Sequence, residues 1–340
     1  MDVSIIICTA NRADFLRDTL ASLSTIRAPA LTELLVVDNR SVDSTRLVVE
    51  EAARTFPFSV RYVYEPEEGK YAALNAGIRV ARGDAIVATD DDVRFETDWL
   101  ERALDGLSRY GCGFVGGRVH PLWGGPKPVW IDECNAIHAK VIAILDYGEG
   151  VREFGCGIGW PLGVNVAYRR EVFERVGFFD NRLGRKWGTL RNQAQREWHL
   201  RARAAGVRGL YLPDMVVRHL VEPGRLHKQY FRRWMYWHGI SRAILYQQCG
   251  FDIEQPELLS APQTPGTPFA GIPSHLLFKA ARSIRSMVWR IVKGDRREAF
   301  DYELWLCFFA GVARQRWADR KLTAAPRPAP AAPSVDRPAA

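Results

Sequence analysis

The chain opens on an apolar, β-branched run, Val3 to Thr9. Asn11-Arg12 then lead into apolar positions Phe15, Leu16, Leu20 and Leu23 at helical spacing. Such a run reads as a buried strand, and the three-to-four-residue period as a helix laid on it. The alternation repeats. Leu34 to Asp38 predicts a second strand, Thr45 to about Thr55 a second helix, Ser59 to Tyr64 a third strand, Tyr71 to Arg82 a third helix and Ala85 to Asp90 a fourth strand. Strictly alternating strands and helices place the strands parallel, so residues 1–120 are expected to form a doubly wound sheet.

The pattern loosens after Gly113. Up to Gly163, glycine, proline and tryptophan recur, as in Pro121-Leu-Trp-Gly-Gly-Pro-Lys-Pro-Val-Trp130, which predicts a long loop region over a cleft. Its rings would either stack on a sugar or lipid or cap the core. Order resumes at Gly163 to Arg170, a strand entering a helix at Glu171, and Leu210–Leu212 and Met215–His219 read as short strands. Leu226 to Gln248 reads as a helix rich in aromatics (Tyr230, Phe231, Trp234, Tyr236, Trp237, Tyr246). A Pro-rich linker follows, Gln255 to Pro273. The next helix sets Leu277, Ala281, Ile284, Val288 and Ile291 on one face, with Lys279, Arg282, Arg285, Arg290 and Lys293 around it. Basic amphipathic helices of this kind lie on anionic membrane surfaces or pack on a neighbouring domain. The Ala/Pro alternation after Leu322 predicts a disordered tail.

Composition narrows the picture. With 340 residues, 47% of them hydrophobic, the chain holds ample material for a packed core. Its six cysteines have no metal-ligand or redox spacing, and Met1 runs straight into a strand without a leader, so a cytoplasmic location is expected. No apolar run reaches the about 18 residues a membrane span needs. The net charge of +8 is concentrated late: Lys279 to Lys321 holds eleven Lys or Arg against five Asp or Glu. That charge sits on amphipathic helices beside apolar faces with no nucleic-acid motif, so no nucleic-acid partner is expected.

Candidate chemistry centres on Asp90-Asp91-Asp92, three carboxylates at the end of the fourth strand. Parallel strands deliver their last side chains to the sheet edge where α/β proteins bind ligands. Adjacent carboxylates repel, which makes sense if Mn or Mg sits between them and a diphosphate; a solvated turn capping a helix at Thr97-Asp98 is the alternative. The absence of G-x-G-x-x-G and of a Walker sequence argues against a dinucleotide dehydrogenase or a P-loop ATPase.

Four ordered blocks now carry a resemblance: Ser4 to Thr9 with Asn11-Arg12; Val36-Val37-Asp38-Asn39 with Ser41 and Asp43; Gly69-Lys70-Tyr71 with Leu74, Asn75 and Gly77; and Asp90-Asp91-Asp92. Together they resemble family 2 glycosyltransferases, covering about residues 1–240. The resemblance implies an α/β fold, a Rossmann-like nucleotide-sugar-binding domain with a mostly parallel central sheet, here carrying a C-terminal helical appendage. The expected organisation is a catalytic domain over 1–222 (donor half 1–120, acceptor half 121–222), an aromatic and basic helix over 223–254, a linker over 255–273, basic amphipathic helices over 274–321 and a tail over 322–340. Donor contacts are implied for Thr9, Asn11, Arg12, Asp38, Lys70, Asn75, Asp90 and Asp91, with Asp38 by the base. A divalent metal is implied on Asp92 with Asp90 and His219. Arg225 and His227, with Arg232 and Arg233 beyond them, are candidates to neutralise the diphosphate.

One departure stands out. The family's acidic pair at the start of a helix corresponds here to Ala194 and Gln195. A glutamine amide cannot accept the acceptor hydroxyl's proton at neutral pH. Glu197 lies two residues on, a rotation of about 200° to the opposite helix face, whereas His199 lies one turn past Gln195 on the same face. Gln195, Glu197 and His199 are therefore the candidate catalytic residues. The bland alternatives are an ion pair from Glu197 to Arg201 and packing of His199.

The expected protein is a metal-dependent, inverting hexosyltransferase that uses a nucleotide diphosphate sugar, UDP-sugar favoured. Its acceptor would be a cell-envelope or lipid-linked glycan, and it would be cytoplasmic or peripheral on the inner face of the plasma membrane. The rival is a catalytically impaired nucleotide-sugar-binding protein with a regulatory or scaffolding role. A nucleotidyltransferase is a third reading, disfavoured because no glycine-rich activating loop is seen near the N-terminus.

Overall fold

The computed structural model describes residues 1–29, 31–249 and 274–323. In chain order the first half runs β1 (Val3–Thr9), α1 (Ala13–Leu23), β2 (Thr32–Asp38), α2 (Thr45–Ala52), β3 (Ser59–Tyr64), α3 (Lys70–Val80), β4 (Ala85–Asp90), β5 (Val93–Phe95) and α4 (Trp99–Tyr110). The second half continues β6 (Phe114–Trp123), α5 (Ala136–Val141), β7 (Arg152–Glu153), β8 (Val166–Arg169), α6 (Arg170–Val176), α7 (Ala194–Ala204), β9 (Gly209–Val221), α8 (Lys228–Cys249), α9 (Ser274–Val292) and α10 (Arg296–Thr323).

The strands lie in the order β3-β2-β1-β4-β8-β6-β9-β5, with β7 also paired to β9. The first four are parallel, as the alternation predicts. Side chains of β1, β2 and β4 are buried on both faces because helices cover each side, which is why they read as continuous apolar runs. In-register pairing ends Thr9 opposite Asp38 and Cys8 opposite Asp90, so the polar ends of three strands emerge together at one sheet edge. β8 reverses the direction, running antiparallel to both β4 and β6, and the sheet is mixed beyond it.

The stretch expected to be loop contains a ten-residue strand, β6, pairing in parallel with β9. Gly116, Gly117 and Pro121 hide it from a β-branched pattern. The glycines are structural: a Cβ on Gly117 would overlap the carbonyl oxygen of Met215. Here β9, expected as two short strands, is one strand with a bulge; the partner of Gly117 is Leu212 but that of Arg118 is Val216. Asn165 fastens the bulge, donating from Nδ2 to the carbonyls of Met215 (2.8 Å) and Arg118 (2.9 Å) and accepting from the Trp99 indole (2.8 Å). Beyond the bulge, β9 pairs with β5 so that His219 faces Val93.

Two apolar clusters hold the chain. The large one fills the sheet and its covering helices; a second joins Ile131, Val141, Ile142 and Val221 to the C-terminal helices. In the second, Phe231, Met235 and Ala243 of α8 meet Phe300, Leu304, Phe308 and Val312 of α10, rows spaced by four residues that interdigitate. The helices approach at Gly239 and Gly311, where a Cβ on either would overlap a backbone oxygen of the other helix. Trp123 and Trp130 pack against this cluster, so both rings cap a core. Among the described residues no helix is long and apolar enough to cross a membrane. The expected linker and all but the first two residues of the expected tail lie outside the described residues; Leu322 and Thr323 end α10.

Candidate functional site

The strand ends build the floor of a cavity of about 420 Å³. Its lining includes Thr9, Arg12, Lys70, Asp90, Asp91 and Asp92 from the predicted set, together with Arg225 and Arg233. Arg185, Lys186, Trp187 and Tyr230 also line it and were not among the candidates. The lining carries six cations, Arg12, Lys70, Arg185, Lys186, Arg225 and Arg233, against three carboxylates, which favours an anionic occupant.

The three aspartates are held differently. Asp91 is buried under α1: Thr9 donates to its Oδ2 (2.7 Å), Arg12 Nε to its Oδ1 (2.9 Å), and its carbonyl accepts from Thr19 (2.7 Å). Asp92 receives Arg12 at Oδ2 (2.8 Å), with Arg225 at 3.4 Å, while Glu222 ties both arginines together. Asp90 pairs with the Lys70 ammonium. Burial pushes the Asp91 carboxyl up, and Arg12 only partly offsets this. Burial acts on Asp92 too, but His219, Arg225 and Arg12 together hold it well below the usual carboxylate range. Of the two adjacent buried acids, Asp92 is thus the firmly ionised one.

Asp90, Asp92 and His219 present ligand atoms that all lie within 4.8 Å of one another. The bulge in β9 sets this up by aiming His219 at Asp92, Nε2 to Oδ1 at 3.3 Å. Asp92 Oδ1 is buried yet accepts no well-directed hydrogen bond. A buried carboxylate oxygen without a donor is costly, and a cation would satisfy it. Two carboxylates and an imidazole suit a divalent ion such as Mn or Mg.

Around this floor the other predicted residues shape loops. Asp38 accepts from Ser41 N–H (2.8 Å) and Tyr62 O–H (2.7 Å), and Asn11 spans to Val42 N–H (2.8 Å) and takes Ser41 Oγ on its own N–H (2.9 Å). Neither lines the cavity. Asn39 does: it accepts from Gly69 N–H (2.9 Å) and donates to the carbonyls of Glu65 and Glu67. That staple, with Gly69 at φ +131°, delivers Lys70 to Asp90. Asn75, expected near the donor, instead clamps the backbone of Phe179 from both sides, Nδ2 to O (2.8 Å) and Oδ1 from N–H (3.1 Å). His227 is exposed and off the cavity, and Arg232 is drawn to Glu303 on α10 (2.6 Å).

The α7 candidates all turn into packing. His199 is fully buried, stacked parallel to Trp160 and against Phe114, and burial drives its pKa down to about 3. Glu197 is forked onto Arg201 (2.6 and 3.0 Å), which also donates to the carbonyls of Val176 and Phe178 and so ties α7 to the end of α6. Gln195 points at Tyr168 O–H (3.4 Å). None of the three lines the cavity. Arg185, Lys186 and Trp187 escaped the sequence reading because they lie in an irregular stretch; the only signal was a cation pair directly after Gly184. Lys70 N–H bonds to the Arg185 carbonyl (3.1 Å) and Trp187 N–H to Glu68, which straps this stretch over the start of α3.

Carboxylates at the strand ends of an α/β sheet here face a cationic cavity suited to a phosphate-bearing ligand. The model of glycosyl transferase family 2 matches residues 4–177, half of the chain, and the chain belongs to that family. Among curated relatives, glycosyltransferase AglE of Haloferax volcanii is 28% identical over 234 residues, 68% of this chain and 71% of that one. The glucosyl-dolichyl phosphate glucuronosyltransferase of the same organism is 24% identical over 275 residues, 74% of this chain and 80% of that one. Among solved structures, the mannosyltransferase PcManGT of Pyrobaculum calidifontis, in complex with GDP-Man and Mn2+, aligns at a TM-score of 0.59 and 21% identity over 93% of this chain and 87% of that one.

Proposed function

We propose that the protein transfers a hexose from a nucleotide diphosphate sugar to an acceptor hydroxyl, with inversion at the anomeric carbon: the bond to the acceptor oxygen forms as the bond to the diphosphate breaks, the nucleoside diphosphate leaves, and the hydroxyl proton passes to solvent. The observation that carries the reading is the cavity itself: Asp90 and Asp92 line it together with six cationic side chains, and His219 is buried against Asp92 without lining it. A bound divalent ion would supply Lewis-acid stabilisation of the diphosphate leaving group. The chain's own share is charge and position. Lys70, Arg225 and Arg233 offset the phosphate charge, and charge-assisted hydrogen bonds from arginine fix its orientation. Trp187, half exposed at the rim, offers a ring face to the base or the sugar.

The acceptor we favour is a cell-envelope polysaccharide or a lipid-linked glycan. The dolichyl phosphate in one relative's name supports the lipid-linked form. A lipid-linked acceptor would bring the enzyme to the inner face of the plasma membrane. UDP-sugars remain the favoured donors from the family resemblance, but the solved neighbour holds GDP-Man, so both nucleotides belong in the test. The impaired-binder reading is not favoured, because the chain belongs to a transferase family and its relatives are named as transferases.

The test is release of nucleoside diphosphate from a panel of UDP- and GDP-sugars with Mn or Mg, comparing wild type, Asp92→Asn and Gln195→Asp. Metal-dependent turnover that Asp92→Asn abolishes supports the transferase. Tight donor binding with no turnover, and activity only in Gln195→Asp, would restore the impaired-binder reading.

A further inference from the structure

α9 is a helix with two unlike faces. Leu276 and Ser283 are buried against the rest of the protein, and Leu276 joins the second apolar cluster with residues of α8 and α10. On the other side stand Ile284, 50% exposed, Val288 (51%), Ile291 (53%) and Val292 (77%), with Phe278 (77%) and Trp289 (56%) beside them. On a helix turning 100° per residue, Ile291, Ile284, Leu277, Val288 and Val292 fall in one arc of about 100°, and Phe278 and Trp289 extend it. Scattered exposed apolar residues are ordinary, but a continuous strip along one helix is not.

Charge identifies what the strip meets. Every charged residue of α9 is a cation: Lys279, Arg282, Arg285 and Arg290 are present and no Asp or Glu is. Arg285 lies within the extended apolar arc and Arg282 at its border, while Lys293 sits over the Trp289 ring at 4.7 Å. Arg290 pairs with Asp295 and Glu298, and Lys279 sits over the Trp305 ring of α10, so the cations beside the strip are Arg282, Arg285 and Lys293; an apolar groove on a protein partner would not call for these three. An anionic lipid surface accepts both features at once, taking the apolar side chains at the acyl boundary and the cations at the headgroups.

We infer that α9 docks the protein on an anionic lipid bilayer, lying in the interface plane rather than crossing it. The attachment is coupled to the cavity through rigid packing. α9 packs on α10, α10 crosses α8 at Gly239 and Gly311, and α8 contributes Tyr230 and Arg233 to the cavity wall. The inference stands apart from the proposed transfer reaction, since it rests on a surface that none of the cavity residues share.

The experiment is co-sedimentation of the full chain with vesicles of phosphatidylcholine alone or with about one-third phosphatidylglycerol. Wild type, Ile284→Asp/Val288→Asp and Arg282→Glu/Arg285→Glu are compared at low and high salt, with oligomeric state and lipid-free nucleoside diphosphate release measured alongside. We expect at least tenfold more wild-type protein on the anionic vesicles at low salt. Either double variant should lose that preference, and release without lipid should stay within twofold. Equal binding to both vesicle types, or binding unaffected by both variants, overturns the inference. A wild-type dimer that Ile284→Asp/Val288→Asp converts to a monomer, without vesicle binding, would assign the strip to a second copy and also overturn it. Loss of release in all proteins with vesicle binding intact would count against the transfer reaction alone.

Discussion

The cavity floor and the first turns of α7 hold the same kinds of residue and use them in opposite ways. At the floor, Asp90, Asp91 and Asp92 stand at the end of a strand, are surrounded by Arg12, Lys70 and Arg225, and face a cavity. On α7, Glu197 and His199 stand on a helix that packs, and their polar atoms are spent on Arg201 or enclosed by rings. A charged group is free for chemistry where backbone geometry forces it out of the core at a sheet edge. On an amphipathic helix the same group follows the period of its neighbours into the interior.

The strongest way to break this comparison is Asp92→Ala. We expect turnover to fall by about a thousandfold or more, with loss of metal-dependent nucleotide binding by calorimetry, because the firmly ionised ligand is gone. Unchanged binding would remove Asp92 from the metal site. Lys70→Ala should cost roughly a hundredfold in kcat/KM while the melting temperature changes little, since the removed ammonium balances Asp90 and the phosphates rather than the core.

On the α7 side the effects should appear in stability. His199 stays neutral in the folded protein down to about pH 3 but takes a proton near pH 6.5 when unfolded. Stability is therefore lost as pH falls below about 6.5, by about 1.4 kcal/mol per unit for this residue. His238, also pushed down by burial, adds to the slope. His199→Phe should flatten the acid limb of urea midpoints between pH 6.5 and 5 and leave turnover intact; an unchanged slope would contradict the buried neutral state. Glu197→Gln should be the mildest, destabilising by about 1 kcal/mol through the loosened Arg201 fork, with kcat within twofold. A hundredfold loss of kcat at unchanged stability would instead make Glu197 the base.

Much of the first 120 residues was legible because each signal there is local. The runs Val3 to Thr9 and Ala85 to Asp90 announce strands, and a strand that ends in acids announces an edge. His219 was placed by its position in the ordered pattern, but its approach to Asp92 depends on a bulge no local pattern encodes. β6 was hidden because its glycines serve close backbone approach instead of side-chain packing. Arg185 to Trp187 reach the cavity through a strap onto α3, a contact between segments more than a hundred residues apart in sequence. Of the two readings of His199 the structure shows the packing one, and Asn75, implied near the donor, spends its amide on the Phe179 backbone: a polar residue in a motif or one turn past Gln195 need not face a cavity when a backbone or an aromatic stack claims it first.

The bulge at Pro213 to Met215 also limits how this gene can change length. Pro213 to Met215 have no partner on β6 and can absorb the loss of a residue, but β9 is paired from Val216 on, and because side chains alternate faces along a strand, deleting one residue between there and His219 would turn the later positions over while leaving the backbone able to pair. His219 would then exchange places with Arg218 or Leu220, and Asp92 would lose its imidazole neighbour. Most loops of an enzyme absorb such edits silently; in this strand, a single lost codon would change what stands beside the acids of the cavity.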